Sequence, residues 1–351
     1  MSHQLARLPA PRELLVAGRR HYESCSRGLA LSAVVAMAAL FLANHYAAPV
    51  MLFALLLGMA FGFVRDEPRF SPGIRFSTRS LLRIGVALLG ARLTLADLAA
   101  LGITPIVITV TTVALTLIFG FAIARLMGMH RTFGVLSAGS VSICGASAAL
   151  AIASTLPRSD RLHLDTVLVV VSVSTLSTVA LVVYPIVAQQ LGLDNISAGI
   201  FLGATIHDVA QVVGAGFSVS ETSGEIATVI KLVRVAMLLP LVVGLAMALR
   251  ILARRQLGQN PGGSQVNPPV PWFLFAFLAL VTVNSLDWLP TGFVEVLAAA
   301  STGCLITAVA ALGMQSSIGE MLKMGWQPIT VIVLQTLFMG AVGLSLVHFL
   351  T

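Results

Sequence analysis

The chain carries little charge. Asp, Glu, Lys and Arg make up 10% of its 351 residues, against about a quarter in an ordinary soluble domain. So few charges cannot clothe a surface that faces water on all sides. Cysteine is scarce too. Cys25, Cys144 and Cys304 are the three present, and their spacing gives neither a disulfide framework nor a metal motif. There is no Walker A loop, which removes ATP hydrolysis by this chain. There is no G-x-S-x-G nucleophile elbow. Ten-residue segments of alternating polarity are missing, which excludes an outer-membrane barrel. No metal or cofactor is expected.

Apolar sequence fills the space instead, at 57% of residues. The runs approach the roughly 17–25 residues that cross a bilayer as a helix. They predict an all-α polytopic membrane protein with about eleven spans: 29–45, 49–64, 78–95, 103–126, 133–156, 163–190, 195–219, 225–249, 271–288, 292–315 and 327–350. Residues 1–28 hold five arginines and no apolar core with a cleavage site, so they read as a cytoplasmic tail rather than a signal peptide. The rest, 29–351, reads as a single transporter domain with a Gly-, Pro- and Asn-rich cytoplasmic linker at 250–271.

Charge placement sets the orientation. With the N-terminus inside, 15 of the 21 Lys and Arg fall in the tail and in cytoplasmic loops, as the positive-inside rule requires. The C-terminus then lies outside. The basic residues sit between spans, which speaks against nucleic acid. Arg158 and Arg161 are the exceptions. Full spans are the preferred reading of 133–156 and 195–219; were both re-entrant, these two arginines would move inside and every later loop would stay put.

An internal repeat is visible. "VALLGARLTLADLAALGITPI" (86–106) resembles "VAALGMQSSIGEMLKMGWQPI" (309–329) at a constant offset of 223. Nine of 29 positions over 82–110 are identical, including Gly90/Gly313, Gly102/Gly325 and Pro105/Pro328, and Asp97 meets Glu320. The copies are an odd number of spans apart, so they run in opposite directions, as in secondary transporters with inverted repeats.

Two segments read badly as membrane helices. "GSVSICGASA" (139–148) packs Ser140, Ser142, Cys144 and Ser147 around Gly145. A break at Gly145 would leave helix N–H groups free to hold an anion. Close helix packing, with serines bonded to their own backbone, is the plainer alternative. "GATIHDVAQVVGAG" (203–216) places His207 and Asp208 at the middle of its span, with Gln211 one turn on. A carboxylate there needs a partner and a task. Gly139, Gly145, Gly203, Gly214 and Gly216 are the expected break points. Downstream, "KLVR" sets Lys231 and Arg234 on one face, too deep to snorkel easily, whereas Arg83 and Arg92 lie nearer span ends. One deep cation is expected to pair with Asp208. The other is expected to face a water-filled, net-positive cavity.

"GSVSICGASAAL", "GATIHDVAQVVGAG" and "IKLVRV", in this order and spacing, resemble the YeiH family of bacterial inner-membrane proteins, also called sulfate exporters. The resemblance runs from about 30 to 350. It implies a fold like that of cation/proton antiporters and bile-acid symporters, with two inverted repeats and crossed discontinuous helices.

The expectation is a secondary transporter moving a small anion, an oxyanion of sulfur, outward. Ser140, Ser142, Cys144, Gly145, Ser147, Gln211, Lys231 and Arg234 would bind it. His207 and Asp208 would couple protons, since imidazole titrates near neutrality. Two alternatives stand beside it: a cation/proton exchanger using Asp208, and an intramembrane hydrolase using Cys144 or Ser147 with His207 and Asp208. The expected partners are a small anion and the lipid bilayer, with no nucleic acid. Self-association into a homo-oligomer is left open.

Overall fold

The computed structural model describes residues 11–46, 49–156, 159–257, 272–315 and 326–351. Among them all regular structure is helical. α1 (Pro11–Tyr46) reaches back into the basic tail, and α2 (Val50–Ala60) follows it. α3 (Ser71–Phe76) and α4 (Leu82–Leu89) are joined by a π-turn over Ser77–Leu81 into one helical segment. After the short α5 (Leu95–Ala100) come α6 (Thr104–Leu126), α7 (Arg131–Ser142), α8 (Ala146–Ala153), α9 (Asp160–Gln190), α10 (Asn195–Thr205) and α11 (Val209–Val219). The chain continues with α12 (Glu221–Ala236), α13 (Leu238–Leu257), α14 (Trp272–Ser285), α15 (Thr291–Gln315) and α16 (Trp326–Leu350). Six stretches are long and apolar enough to cross a bilayer: Cys25–Tyr46, Thr104–Leu126, Arg161–Gln190, Glu221–Ala248, Thr291–Gln315 and Trp326–Leu350. Shorter apolar helices lie between them. The protein is a polytopic helical membrane protein. α13 runs to Leu257, so the first part of the expected linker is helical, because "ILARRQL" is made of good helix formers. The remainder of the linker lies outside the described residues.

The segments 133–156 and 195–219 are not spans. Each folds back on itself as a helical hairpin. α10 runs parallel to α12: Ser223 Oγ donates to the Asn195 carbonyl at 2.6 Å. Side chains added at Gly199 and Gly203 would meet Ile226 and Ile230 in turn. α11 meets the same beginning of α12, with the Phe217 ring against Gly224 and Gly216 against Ala227. α10 and α11 are therefore antiparallel, and the chain enters and leaves by one end. The other hairpin repeats the pattern. His130 pairs with Asp165 at 2.8 Å where α7 and α9 begin. Gly145 meets Val173 half-way along α9, and Ile152 of α8 returns to pack on Gly139 of α7. One hairpin enters from the end where α9 begins and the other from the end where α9 finishes. Non-helical backbone at membrane depth is tolerated only inside protein. Here each tip is buried against the other hairpin, α9 and α12.

α6 and α16 flank the hairpins and run antiparallel. Gln335 Nε2 donates to the Gly120 carbonyl at 2.9 Å, Phe119 and Phe338 stack at 3.9 Å, and Gly343 lies by Thr112. α1, α2, α3, α4, α14 and α15 form a second group. α14 ends where α4 ends: Leu95 N–H donates to Ser285 Oγ at 2.7 Å and Asn284 Nδ2 to the Leu93 carbonyl at 3.2 Å. α15 therefore starts at that end and runs back antiparallel to α4, with Ser301 Oγ donating to the Gly85 carbonyl at 2.7 Å. The helices carrying the two copies of the repeat thus run antiparallel in both pairs. Glu320 lies outside the described residues. α11 touches the second group, where Gly214 faces Val309 of α15.

Candidate functional site

The two tips meet half-way along α9. At the first, Ile143–Gly145 leave the helix, and Gly145 takes φ 61° and ψ −123°. That backbone disfavours any side chain, and a Cβ there would also lie 3.1 Å from Val173. The Gly145 N–H closes the turn on the Ser140 carbonyl at 2.8 Å. At the second tip the chain is extended through Ile206 to Asp208. A Cβ on Gly145 would stand 3.5 Å from the His207 Cβ, so the tips are in contact.

α7 and α10 both end here, and the last carbonyls of a helix have no partner within it. Lys231 and Arg234, fully buried on α12, supply the donors. Lys231 Nζ donates to the Ile143 carbonyl at 2.7 Å and the Ile206 carbonyl at 2.9 Å. Arg234 spreads its guanidinium across both hairpins. It donates to Ser142 at 2.9 Å and Val141 at 3.4 Å on one side, and to Ile206 at 2.8 Å and Gly203 at 3.1 Å on the other. The Met339 sulfur closes its far side at 3.4 Å. Two cations thus face two negative helix ends. This corrects two expectations. Among the described residues neither cation lies within 4.0 Å of a carboxylate, Asp208 included. Neither faces an open cavity, because helix ends compete for them more effectively than one aspartate.

Asp208 instead caps α11, accepting from the Ala210 N–H at 3.1 Å. Its own N–H donates to Ser177 Oγ at 3.2 Å, and Ser177 in turn donates to Gln211 Oε1 at 3.0 Å. Gln211 Nε2 reaches Thr178 at 3.2 Å. Asp208 is half-buried and His207 fully buried. Thr336 gives its hydroxyl proton to the Ile332 carbonyl, so it accepts from His207 Nε2 at 3.1 Å. Among the described residues His207 Nδ1 is buried without a hydrogen-bond partner. No hydrogen bond joins Cys144 to His207, so the nucleophile–base contact of a hydrolase is missing among the described residues.

The remaining residues sort cleanly. Ser140 and Ser142 spend their hydroxyls on the Leu136 and Gly139 carbonyls of their own helix. Cys144 is buried at the tip, whereas Ser147 is exposed in the first turn of α8. Among the described residues the Ala146 and Ser147 N–H groups there have no backbone acceptor and Gly145 offers no side-chain cap, while the Ala148 N–H turns to the Cys144 sulfur. Of the five expected break points, Gly139, Gly203, Gly214 and Gly216 lie within helices, where they admit Ile152, Ile230, Leu181 and Ala227 at close range. Ser177, Thr178 and Thr336 went unnoticed in the sequence. The signal for the first two was "SVSTLST", a polar cluster in the middle of a long apolar run.

Two hairpins entering a helical bundle from opposite ends, with polar tips touching at its centre, define a polytopic membrane protein built like a transporter. A family model described as conserved hypothetical protein 698 matches residues 27–332. A UPF0324 membrane protein of Chlorobaculum tepidum is 48% identical over 91% of this chain and 88% of its own length. The UPF0324 membrane protein TauZ of Paracoccus pantotrophus is 46% identical over 96% and 98%. The chain belongs to this UPF0324 family, the YeiH family its motifs resemble. No solved structure matches it.

Proposed function

We propose that the protein is a secondary transporter, not an enzyme, and that it carries a small anion, an oxyanion of sulfur, outward across the inner membrane. The observation that carries the reading is the start of α8 at the tip contact, where the Ala146 and Ser147 N–H groups have no acceptor among the described residues and Ser147 is exposed. Free N–H groups at a helix start attract negative charge. Ser147 and these N–H groups would hold the anion, with Cys144 and Gln211 beside it. Lys231 and Arg234 would act by holding the tips and by their field rather than by direct contact. Asp208 and His207 would carry the proton. The antiparallel pairs α4/α15 and α6/α16 support an inverted-repeat architecture. Two re-entrant hairpins also remove the exception to the positive-inside rule, because Arg161 then starts α9 on the same side as the basic loop before α7.

One observation favours a second reading. Asp208 is half-buried and makes no ion pair within 4.0 Å among the described residues, which suits a cation/proton exchanger. Flux into liposomes decides. Sulfate, sulfite or thiosulfate flux that Ser147→Trp blocks supports anion transport. Sodium–proton exchange that is indifferent to every anion tested would replace it.

A further inference from the structure

Far from the tips, the crossing of α1 and α3 leaves an open cleft of about 570 Å³. Its origin is local. Gly28 of α1 and Gly73 of α3 bring the two backbones into direct contact, with Gly28 against the Phe70 carbonyl and Gly73 against the Cys25 carbonyl. Helices pinched at one point diverge beyond it, and the wedge opens beside Cys25 where the apolar stretch of α1 begins. Phe76, Pro72, Ser71 and Ser80 line it. Arg75 and Arg79, one turn apart, also line it and are both exposed. Neither arginine makes an ion pair or hydrogen bond among the described residues. Two guanidinium groups without an ion pair among the described residues, at the edge of an apolar segment and in one cleft with Phe76, match a molecule with an anionic head and an apolar body. The volume exceeds what a bare phosphate ion fills. Basic pockets between helices suit anionic headgroups, and guanidinium forks match phosphate oxygens.

We propose that this wedge binds an anionic phospholipid, with Arg75 and Arg79 on the phosphodiester and the glycerol and upper acyl chain along Phe76. The site is separate from the transport reading and does not depend on it.

The test uses the full-length protein in detergent. Its thermal unfolding is followed with added phosphatidylglycerol, phosphatidylcholine or inorganic phosphate, and lipid adducts are counted by native mass spectrometry. Phosphatidylglycerol should raise the melting temperature and stay bound, while phosphatidylcholine and phosphate do neither. Arg75→Gln and Arg79→Gln should each weaken phosphatidylglycerol binding on the order of fivefold, the worth of one arginine at a membrane surface. Ser80→Trp, which fills the wedge and keeps both charges, should also weaken it. Arg125→Gln, an exposed arginine elsewhere, should not. Equal shifts from both lipids, full binding in the single variants and in Ser80→Trp, or a phosphate effect equal to the lipid's would each overturn the proposal.

Discussion

At the scale of single residues, the deep cations are the best-defined feature. Lys231 and Arg234 lie between helix ends, so their removal leaves buried carbonyls without donors. Each such carbonyl costs about 1–3 kcal/mol. Lys231→Ala should therefore lower the unfolding midpoint in detergent by several degrees, and loss of flux in that variant would not isolate a binding role. A Lys231→Ala protein as stable as the parent would count against the pinning described above. Arg234→Lys should be nearly as damaging as Arg234→Ala, because one ammonium cannot span both hairpins. Asp208→Asn is the informative functional variant. Asparagine still caps a helix, so the fold should stand while the pH dependence of flux changes. An unchanged pH profile would leave Asp208 as a cap alone. Gly145→Ala should destabilise by about 1–3 kcal/mol, the usual cost of a residue held in a forbidden backbone region, measured by chemical unfolding.

At the scale of elements, the two hairpins show what a sequence exposes and what it hides. The break at Gly145 and the one beside His207 were legible, because glycine and polar residues crowd span centres that should be apolar. Whether the chain then continues or turns back was not. A 25-residue apolar segment has the same composition and periodicity in both cases, and the outcome depends on distant partners such as Ser223 and Asp165. The misplaced arginines were the one trace of the true path. The destination of Lys231 and Arg234 was hidden for the same reason: charge counting pairs them with Asp208, while helix-end carbonyls are invisible in a sequence. The outer end of the second hairpin allows a pH test. Asp194 caps α10 through Ser197, and these hydrogen bonds hold its carboxyl below the usual range. Its contribution is complete above the ordinary carboxylate pKa and is lost as the pH falls through the lowered value. Asp194→Ala should cost about 0.5–2 kcal/mol at neutral pH, and the gap between variant and parent should close in acid, as read by melting temperature at each pH.

At the scale of the whole molecule, the hairpins with α6, α9, α12 and α16 form one body and α1–α4, α14 and α15 another. α11 lies between them. Near one end Arg92 ties the two together, pairing with Glu221, lying 3.7 Å from Glu225, and reaching Thr302 at 3.1 Å. If transport moves one body against the other, a disulfide across their contact should stop it. Gly214→Cys with Val309→Cys, in a background without the native cysteines, should lose flux on oxidation and regain it on reduction. Flux that persists in the oxidised protein would place the motion elsewhere.

The pinning of both hairpins by one helix also bears on how the chain is made. α12 follows both hairpins in the sequence, so a ribosome delivers the two tips well before the side chains that hold them. Until residues 231–234 emerge into the bilayer, the carbonyl ends of α7 and α10 have nothing to close on, and non-helical backbone cannot stay in hydrocarbon unsupported. Nascent chains halted before this point should keep both hairpins at the surface, open to proteolysis. Chains a turn or two longer should protect them together. Assembly of the centre would then be a late, single event rather than a progression from the N-terminus.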